Sequence, residues 1–139
     1  MGDQFLQSTR FFLGTPWLYR GRSEAGLDCG GLLIAAGKRA GLVDPNYEKV
    51  YGTDDSYQGL HETLAEFADE IGPEIEPADG DIWTYSFMGD MHAHCAVHSA
   101  TDGTVVHAYP VVGAVAEHSA SGKWIRKIHR RYRVRVPLG

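Results

Sequence analysis

The sequence predicts an α+β domain with helices packed on one side of an antiparallel sheet. Three observations carry this. Apolar residues recur at helical spacing over the first half of the chain, the period becomes strand-like after Asp81, and the strand-like runs follow one another with only turn signals between them.

Each element follows from its own stretch. Phe5, Leu6, Phe12 and Leu13 form a helical stripe over residues 3–13, which "GTP" at 14–16 stops. Asp28 is a favoured N-cap residue, and Leu32, Leu33, Ala36 and Ala40 then recur at helical spacing until Gly41, so Cys29 is expected in the first turn of a second helix. Residues 43–59 are rich in turn formers and aromatics and read as a long surface connection able to wall a groove. Leu60, Leu64, Phe67 and Ile71 predict a third helix, ended by the proline- and glycine-punctuated "GPEIEPADGD". The runs "DIWTYSF", "HCAVHSA", "TVVHAYP" and "VGAVAEHS" predict a consecutive meander, with "TDG" at 101–103 as one of its turns. "GKWIRKIHRRYRVRVPLG" predicts a short helical turn and a last strand, in which Arg131, Arg133 and Arg135 alternate with Tyr132, Val134 and Val136.

Composition narrows the function classes. The 139 residues suffice for one core and not for two, so 1–139 is expected to form a single domain. Charged residues at 22%, hydrophobic ones at 43% and a formal net charge of −5 match an ordinary globular protein rather than a disordered one. No apolar run reaches the ~20 residues of a membrane span, and no secretory signal is read at the N-terminus, so synthesis in a cytoplasm is expected. Of 18 acidic residues, 12 lie between Asp44 and Asp81, and 7 of 13 basic ones lie between Lys123 and Arg135. Such asymmetry suits a partner surface. The regular interleaving of the basic stretch with core-type residues favours a solvated strand over a nucleic-acid arm, and no nucleic-acid partner is expected.

The chemistry centres on "GLDCGGLL" at 26–33. A thiol is a poor nucleophile until ionised, and the first turn of a helix favours the thiolate through its N–H groups and dipole. Gly30 and Gly31 leave room for a substrate carbonyl, and the Cys29 N–H is a candidate oxyanion donor. Asp28 opposes ionisation, so a base is still required. Seven histidines are available: His61, His92, His94, His98, His107, His118 and His129. On the strand 93–99, His94, Ala96 and His98 share one face and Cys95 and Val97 the other. His107, after the "TDG" turn, is placed to lie beside His94. Cysteine, histidine and a second polar group that orients the histidine are the parts of a thiol acyl-transfer site. Cys95 reads as a core thiol on the far face of its strand, and the remaining histidines as surface or strand-end residues. His61 lies on a helix with no partner apparent in the sequence.

"GTPWLYRGRSEAGLDCGGLL" resembles the first motif of the NlpC/P60 cysteine-peptidase family, "HCAVHSATDGTVVHAY" resembles its second, and "PADGDIW" resembles the segment leading into that family's first strand. The likeness runs over most of the chain. It implies a papain-like NlpC/P60 fold, with Cys29 as nucleophile, His94 as general base and acid, and His107 as orienting residue. Trp17, Tyr19, Asp28 and Gly30 flank the cysteine and are read as substrate-facing. Gly30 stands where the family usually has serine, and Trp17 where many members carry tyrosine. The resemblance is closest to short peptidase-like proteins of tailed phages and prophages, through "RGRSEAGLDCGGL", "AVAEH" and "WIRKIHRRYRVRV". It implies hydrolysis of amide bonds in peptidoglycan stem peptides, synthesis in the host cytoplasm, other tail-tip proteins as partners, and a place at the virion tail tip acting on the bacterial cell wall. No cofactor and no metal is implied.

Three other readings fit the same residues. A tail-tip structural or assembly protein would keep the fold with little or no activity. An acyltransferase or amidase would use the same thiol on a different amide or ester. A zinc site would draw on "MHAHCAVH", with His92 and His94 joined by His107; alternation turns Cys95 away from such a set.

Overall fold

The computed structural model describes residues 1–47, 57–85 and 94–135, and the side chains of Tyr57 and Gln58 are not among what it describes. The chain begins with α1 (Gly2–Phe11), followed by a small hairpin of β1 (Arg22–Ser23) and β2 (Gly26–Leu27), then α2 (Cys29–Arg39) and α3 (Tyr57–Leu64). The second half runs β3 (Ala68–Ile71), β4 (Asp81–Tyr85), β5 (His94–Ser99), β6 (Thr104–Tyr109), β7 (Ala114–Ser119), α4 (Lys123–Arg126) and β8 (Ile128–Val134). Six strands form one sheet in the order β3-β8-β4-β5-β6-β7, every neighbouring pair antiparallel. The meander β4 to β7 is the one read from the period change.

Two expectations need correction. The third helix stops at Leu64, and the stretch expected to continue it to Ile71 turns at 65–67 and enters β3. A four-residue apolar pattern fits either period, and the outcome is set by β8, which offers Ala68 to Ile71 a ladder with Val134 to Arg131. Helices also do not all pack on one side. Phe5 and Leu6 of α1, Leu32, Leu33 and Ala36 of α2, and Leu60 and Leu64 of α3 cover the sheet face formed by Ile82, Cys95, Val97, Val106, Ala108 and Tyr132. The opposite face, with Trp83, Tyr85, Ala96 and Val105, is covered by Trp124 of α4.

The charge asymmetry resolves within the sheet. Basic β8 lies between β3 and β4, which carry acidic residues. Arg133 makes a two-pronged ion pair with buried Asp81, 2.9 Å on each prong, while Arg130 meets Glu70 at 3.1 Å and Arg135 meets Asp69 at 2.9 Å. The acidic residues at 48–55, with the rest of the connection 48–56, lie outside the described residues, as does His92.

Candidate active site

The site is organised by the start of α2. Asp28 is extended (φ −97°, ψ −175°), and its Oδ1 accepts the Gly31 N–H at 2.7 Å, capping the helix. Its Oδ2 accepts the Arg20 N–H at 2.9 Å, and the Arg22 guanidinium reaches Oδ1 at 3.1 Å. These bonds fold segment 20–22 back onto the helix end and hold Arg20 at φ 60°, in the left-handed region. Both carboxylate oxygens are thus engaged within the chain and Asp28 is buried, so its evident work is to shape the turn that presents Cys29. Gly31 also differs from expectation. A Cβ there would collide with the Gly21 carbonyl oxygen, so the space ascribed to a substrate carbonyl is filled by the protein's own backbone. Gly30 is buried in the first turn.

Before this turn, residues 14–17 run beside β7. Gly14 N–H donates to Val115 O and Trp17 N–H to Gly113 O, both at 2.9 Å. Trp17 is half-buried against the core, whereas Tyr19 is 53% exposed with the Arg20 guanidinium 5.3 Å from its ring centre.

The Cys29 thiol is half-buried and hydrogen-bonds with both Cys95 and His94. Its pKa is lowered well below that of an ordinary thiol. The Cys95 bond contributes most, burial opposes it, the His94 bond and charge add to it, and Asp28 again opposes. Cys95, only 1% exposed, keeps its proton: its bond to Cys29 and its burial push its pKa well up. Alternation does place Cys95 on the face opposite Ala96, but that face carries α2, so Cys95 donates its S–H to the Cys29 sulfur. Cys95 is thus a buried core thiol on the far face of its strand, as expected, and it also contacts Cys29.

Behind the thiol runs a line of imidazoles. His94 Nε2 lies 2.6 Å from His107 Nδ1, and His107 Nε2 lies 2.8 Å from His118 Nε2. His118 Nδ1 meets the Ser119 carbonyl at 3.0 Å. Burial, reinforced by the neighbouring His94, His118 and Lys123, pushes the His107 pKa down to about 2, so this ring is neutral at any ordinary pH. Trp124 roofs the line, with its ring centre 5.9 Å from His94, 4.7 Å from His107 and 5.1 Å from His118. Tyr85 is fully buried beside them, and its hydroxyl donates to the Trp124 carbonyl at 2.9 Å.

Of the residues singled out in the sequence, Cys29, His94 and His107 are brought together. His118, Trp124 and the part played by Cys95 were missed. His118 was legible in principle: with β6 and β7 paired so that Val105 faces His118, the rings of His107 and His118 are diagonal neighbours on one sheet face. His98 is elsewhere, stacked on Trp83 at 3.9 Å with its Nδ1 2.9 Å from the Thr104 carbonyl. His61, without an apparent partner in the sequence, pairs with the Tyr132 hydroxyl at 2.8 Å.

The line of imidazoles does not suit a metal. Two nitrogens bound to tetrahedral zinc at ~2.0–2.1 Å would stand roughly 3.3 Å apart. Here the contacts of 2.6 and 2.8 Å are those of nitrogens sharing a proton. Among the described residues no group of three or more His, Cys, Asp or Glu side chains is arranged to hold a metal ion, and no helix is long and apolar enough to cross a membrane.

The sequence matches no family model and no curated protein. Solved structures do match. An NlpC/P60 family protein from Bacillus cereus superposes with a TM-score of 0.69 at 20% identity, over 96% of this chain and 40% of that one. The NlpC/p60 domain of the peptidoglycan hydrolase SagA superposes with a TM-score of 0.63 at 18% identity, over 98% of this chain and 99% of that one. The fold is that of the NlpC/P60 domains. A further likeness is the peptidoglycan hydrolase RipB from Mycobacterium tuberculosis, with a TM-score of 0.61, 17% identity, and 97% of this chain covered against 65% of that one. The papain-like NlpC/P60 arrangement implied by the motifs, helices plus an antiparallel sheet, is the arrangement observed.

Proposed function

We propose that this chain is a cysteine hydrolase that cleaves amide bonds in peptidoglycan stem peptides, as a tail-tip component of a tailed phage or prophage that opens the bacterial wall locally. The observation that carries the chemistry is the contact of the Cys29 thiol with His94, on an imidazole backed in turn by His107. The thiol gives its proton to His94, and the thiolate attacks the amide carbonyl. The oxyanion forms beside the Cys29 N–H, and His94 then returns the proton to the departing amine. In the second half His94 takes a proton from water, hydroxide attacks the thioester, and the acid leaves as the thiol is restored. In this reading Trp17, Tyr19 and Gly30 belong to the substrate side, and Asp28 acts through the turn it holds.

The wall substrate is supported by the fold shared with SagA and RipB, each named a peptidoglycan hydrolase. The tail-tip setting, and neighbouring tail proteins as partners, are supported by the likeness of "RGRSEAGLDCGGL", "AVAEH" and "WIRKIHRRYRVRV" to short phage peptidase-like proteins. The test is digestion of purified sacculi, with released amines measured and products identified by mass spectrometry. Wild type is expected to release stem-peptide fragments, Cys29→Ala none with its fold unchanged, and a chelator to have no effect. Full activity in Cys29→Ala, or activity lost with a chelator and restored by zinc, would overturn the mechanism. Wild type inert on sacculi but retained in assembled tail tips would replace it with the structural-protein reading.

A further inference from the structure

We propose that His118 is a positioning residue that holds His107 in its Nε2–H tautomer and thereby sets which nitrogen of His94 carries its proton, leaving Nδ1 free to serve Cys29. The inference rests on the reading of Cys29 and His94 as a thiol–imidazole pair. It follows from a chain of donors and acceptors with one unambiguous end. The Ser119 carbonyl can only accept, so His118 Nδ1, 3.0 Å away, carries a proton. In the form of His118 that carries a single proton, placed on Nδ1 by that carbonyl, Nε2 is bare, and the contact of 2.8 Å then has His107 Nε2 as its donor. His107 is itself neutral, kept so by burial, so its Nδ1 is bare. The contact of 2.6 Å at that atom therefore requires His94 Nε2 to donate.

With Nε2 committed, His94 presents Nδ1 to the thiol, whether that ring is neutral and accepting or charged and donating. Were His118 absent or unable to accept, His107 would lose its reason to carry the proton on Nε2. Its alternative tautomer puts N–H against His94 Nε2 and inverts the line. His94 would then have to surrender its Nε2 proton, and a neutral His94 would hold its proton on Nδ1, where it cannot take one from Cys29. The three rings lie diagonally across β5, β6 and β7, so the sheet itself enforces the order. Trp124, 5.1 Å from the His118 ring centre, limits where that ring can swing.

The test uses two readouts that need no substrate: the tautomer of His107, from long-range proton–nitrogen correlation in 15N-labelled protein, and the rate of iodoacetamide modification of Cys29, mapped separately from Cys95. Wild type is expected to show His107 with its proton on Nε2. His118→Phe keeps a ring without an acceptor, and is expected to lose that tautomer and slow Cys29 modification near neutral pH by about tenfold, the worth of one net hydrogen bond. His118→Gln places a carbonyl oxygen near the lost Nε2 and is expected to restore both. A His107 proton on Nδ1 in wild type, His118→Phe indistinguishable from wild type, or a folded His118→Gln that behaves as His118→Phe would each overturn the proposal. His94→Ala separates the two levels: if it leaves Cys29 modification unchanged, the thiol–imidazole pair itself fails, and His118 with it.

Discussion

Replacing Cys95 tests what depresses the Cys29 pKa. The sequence suggests that Cys95→Ala should do little, because a core thiol on the far side of a strand has no part in catalysis. The structure predicts otherwise, since the Cys95 S–H donates to the Cys29 sulfur and is the largest single influence holding its pKa down. A hydrogen bond to a charged acceptor contributes ~1.5–3 kcal/mol, and S–H is a weak donor, so the lower end applies. At 1.36 kcal/mol per pKa unit this is about one unit. The residual depression is that due to His94. The assay is the pH dependence of iodoacetamide modification of Cys29, with peptide mapping. Cys95→Ala is expected to move the midpoint upward by about one unit, with a cost to stability of about 1 kcal/mol for the small void. Cys95→Ser keeps a donor, and its midpoint should remain near or below that of wild type. Equal midpoints in wild type and Cys95→Ala, or equal upward shifts in both variants, would refute the reasoning.

Three further outcomes are expected. Gly31→Ala sets a methyl against the Gly21 carbonyl oxygen and should cost about 3 kcal/mol in denaturant unfolding, with Cys29 reactivity falling as segment 20–22 is displaced; a wild-type midpoint would show that the loop yields freely. Arg133→Ala leaves the carboxylate of Asp81, 1% exposed, with the Ala78 N–H in place of a full set of partners, and should cost about 3 kcal/mol, whereas Arg130→Ala, in an ion pair between half-exposed side chains, should cost under ~1 kcal/mol. His107 has a depressed folded pKa, so below its unfolded value of ~6.5 the unfolded chain binds a proton that the native state refuses. Its contribution is therefore intact above pH ~6.5 and lost at ~1.4 kcal/mol per unit as pH falls toward about 2. The slope of stability against pH between 6 and 4 should be smaller by up to one proton in His107→Gln than in wild type, and parallel curves would contradict a buried neutral ring.

Much of the fold was legible because its signals are local. The N-cap at Asp28, the change of period after Asp81 and the "TDG" turn each depend on residues a few positions apart, and each appears where it was read. The failures share a different cause. Phe67 and Ile71 continue a helical spacing, yet β8, some 60 residues on, provides the ladder that draws this stretch into a strand. Trp124 is one of the core-type residues interleaved in the basic stretch, and only the return of that stretch across the sheet sets it over the histidines. The basic stretch, read as a solvated strand, pairs with acidic residues of the strands on either side of it, which a one-dimensional charge pattern does not show.

The sequence by itself determined that a cysteine would open a helix, and that two histidines would share a face of adjoining strands. Those facts depend only on capping preference and on the two-residue alternation of a strand. Tertiary structure alone decided which sulfur supports Cys29, that a third ring extends the line from His94 through His107 to the Ser119 carbonyl, and that Asp28 and Gly31 serve the turn rather than open space beside it. The physical reason is range. Periodicity says which way a side chain faces, whereas the meeting of α2 with β5 and the register of β5, β6 and β7 decide what it faces, and hydrogen-bond chemistry acts only at that last distance.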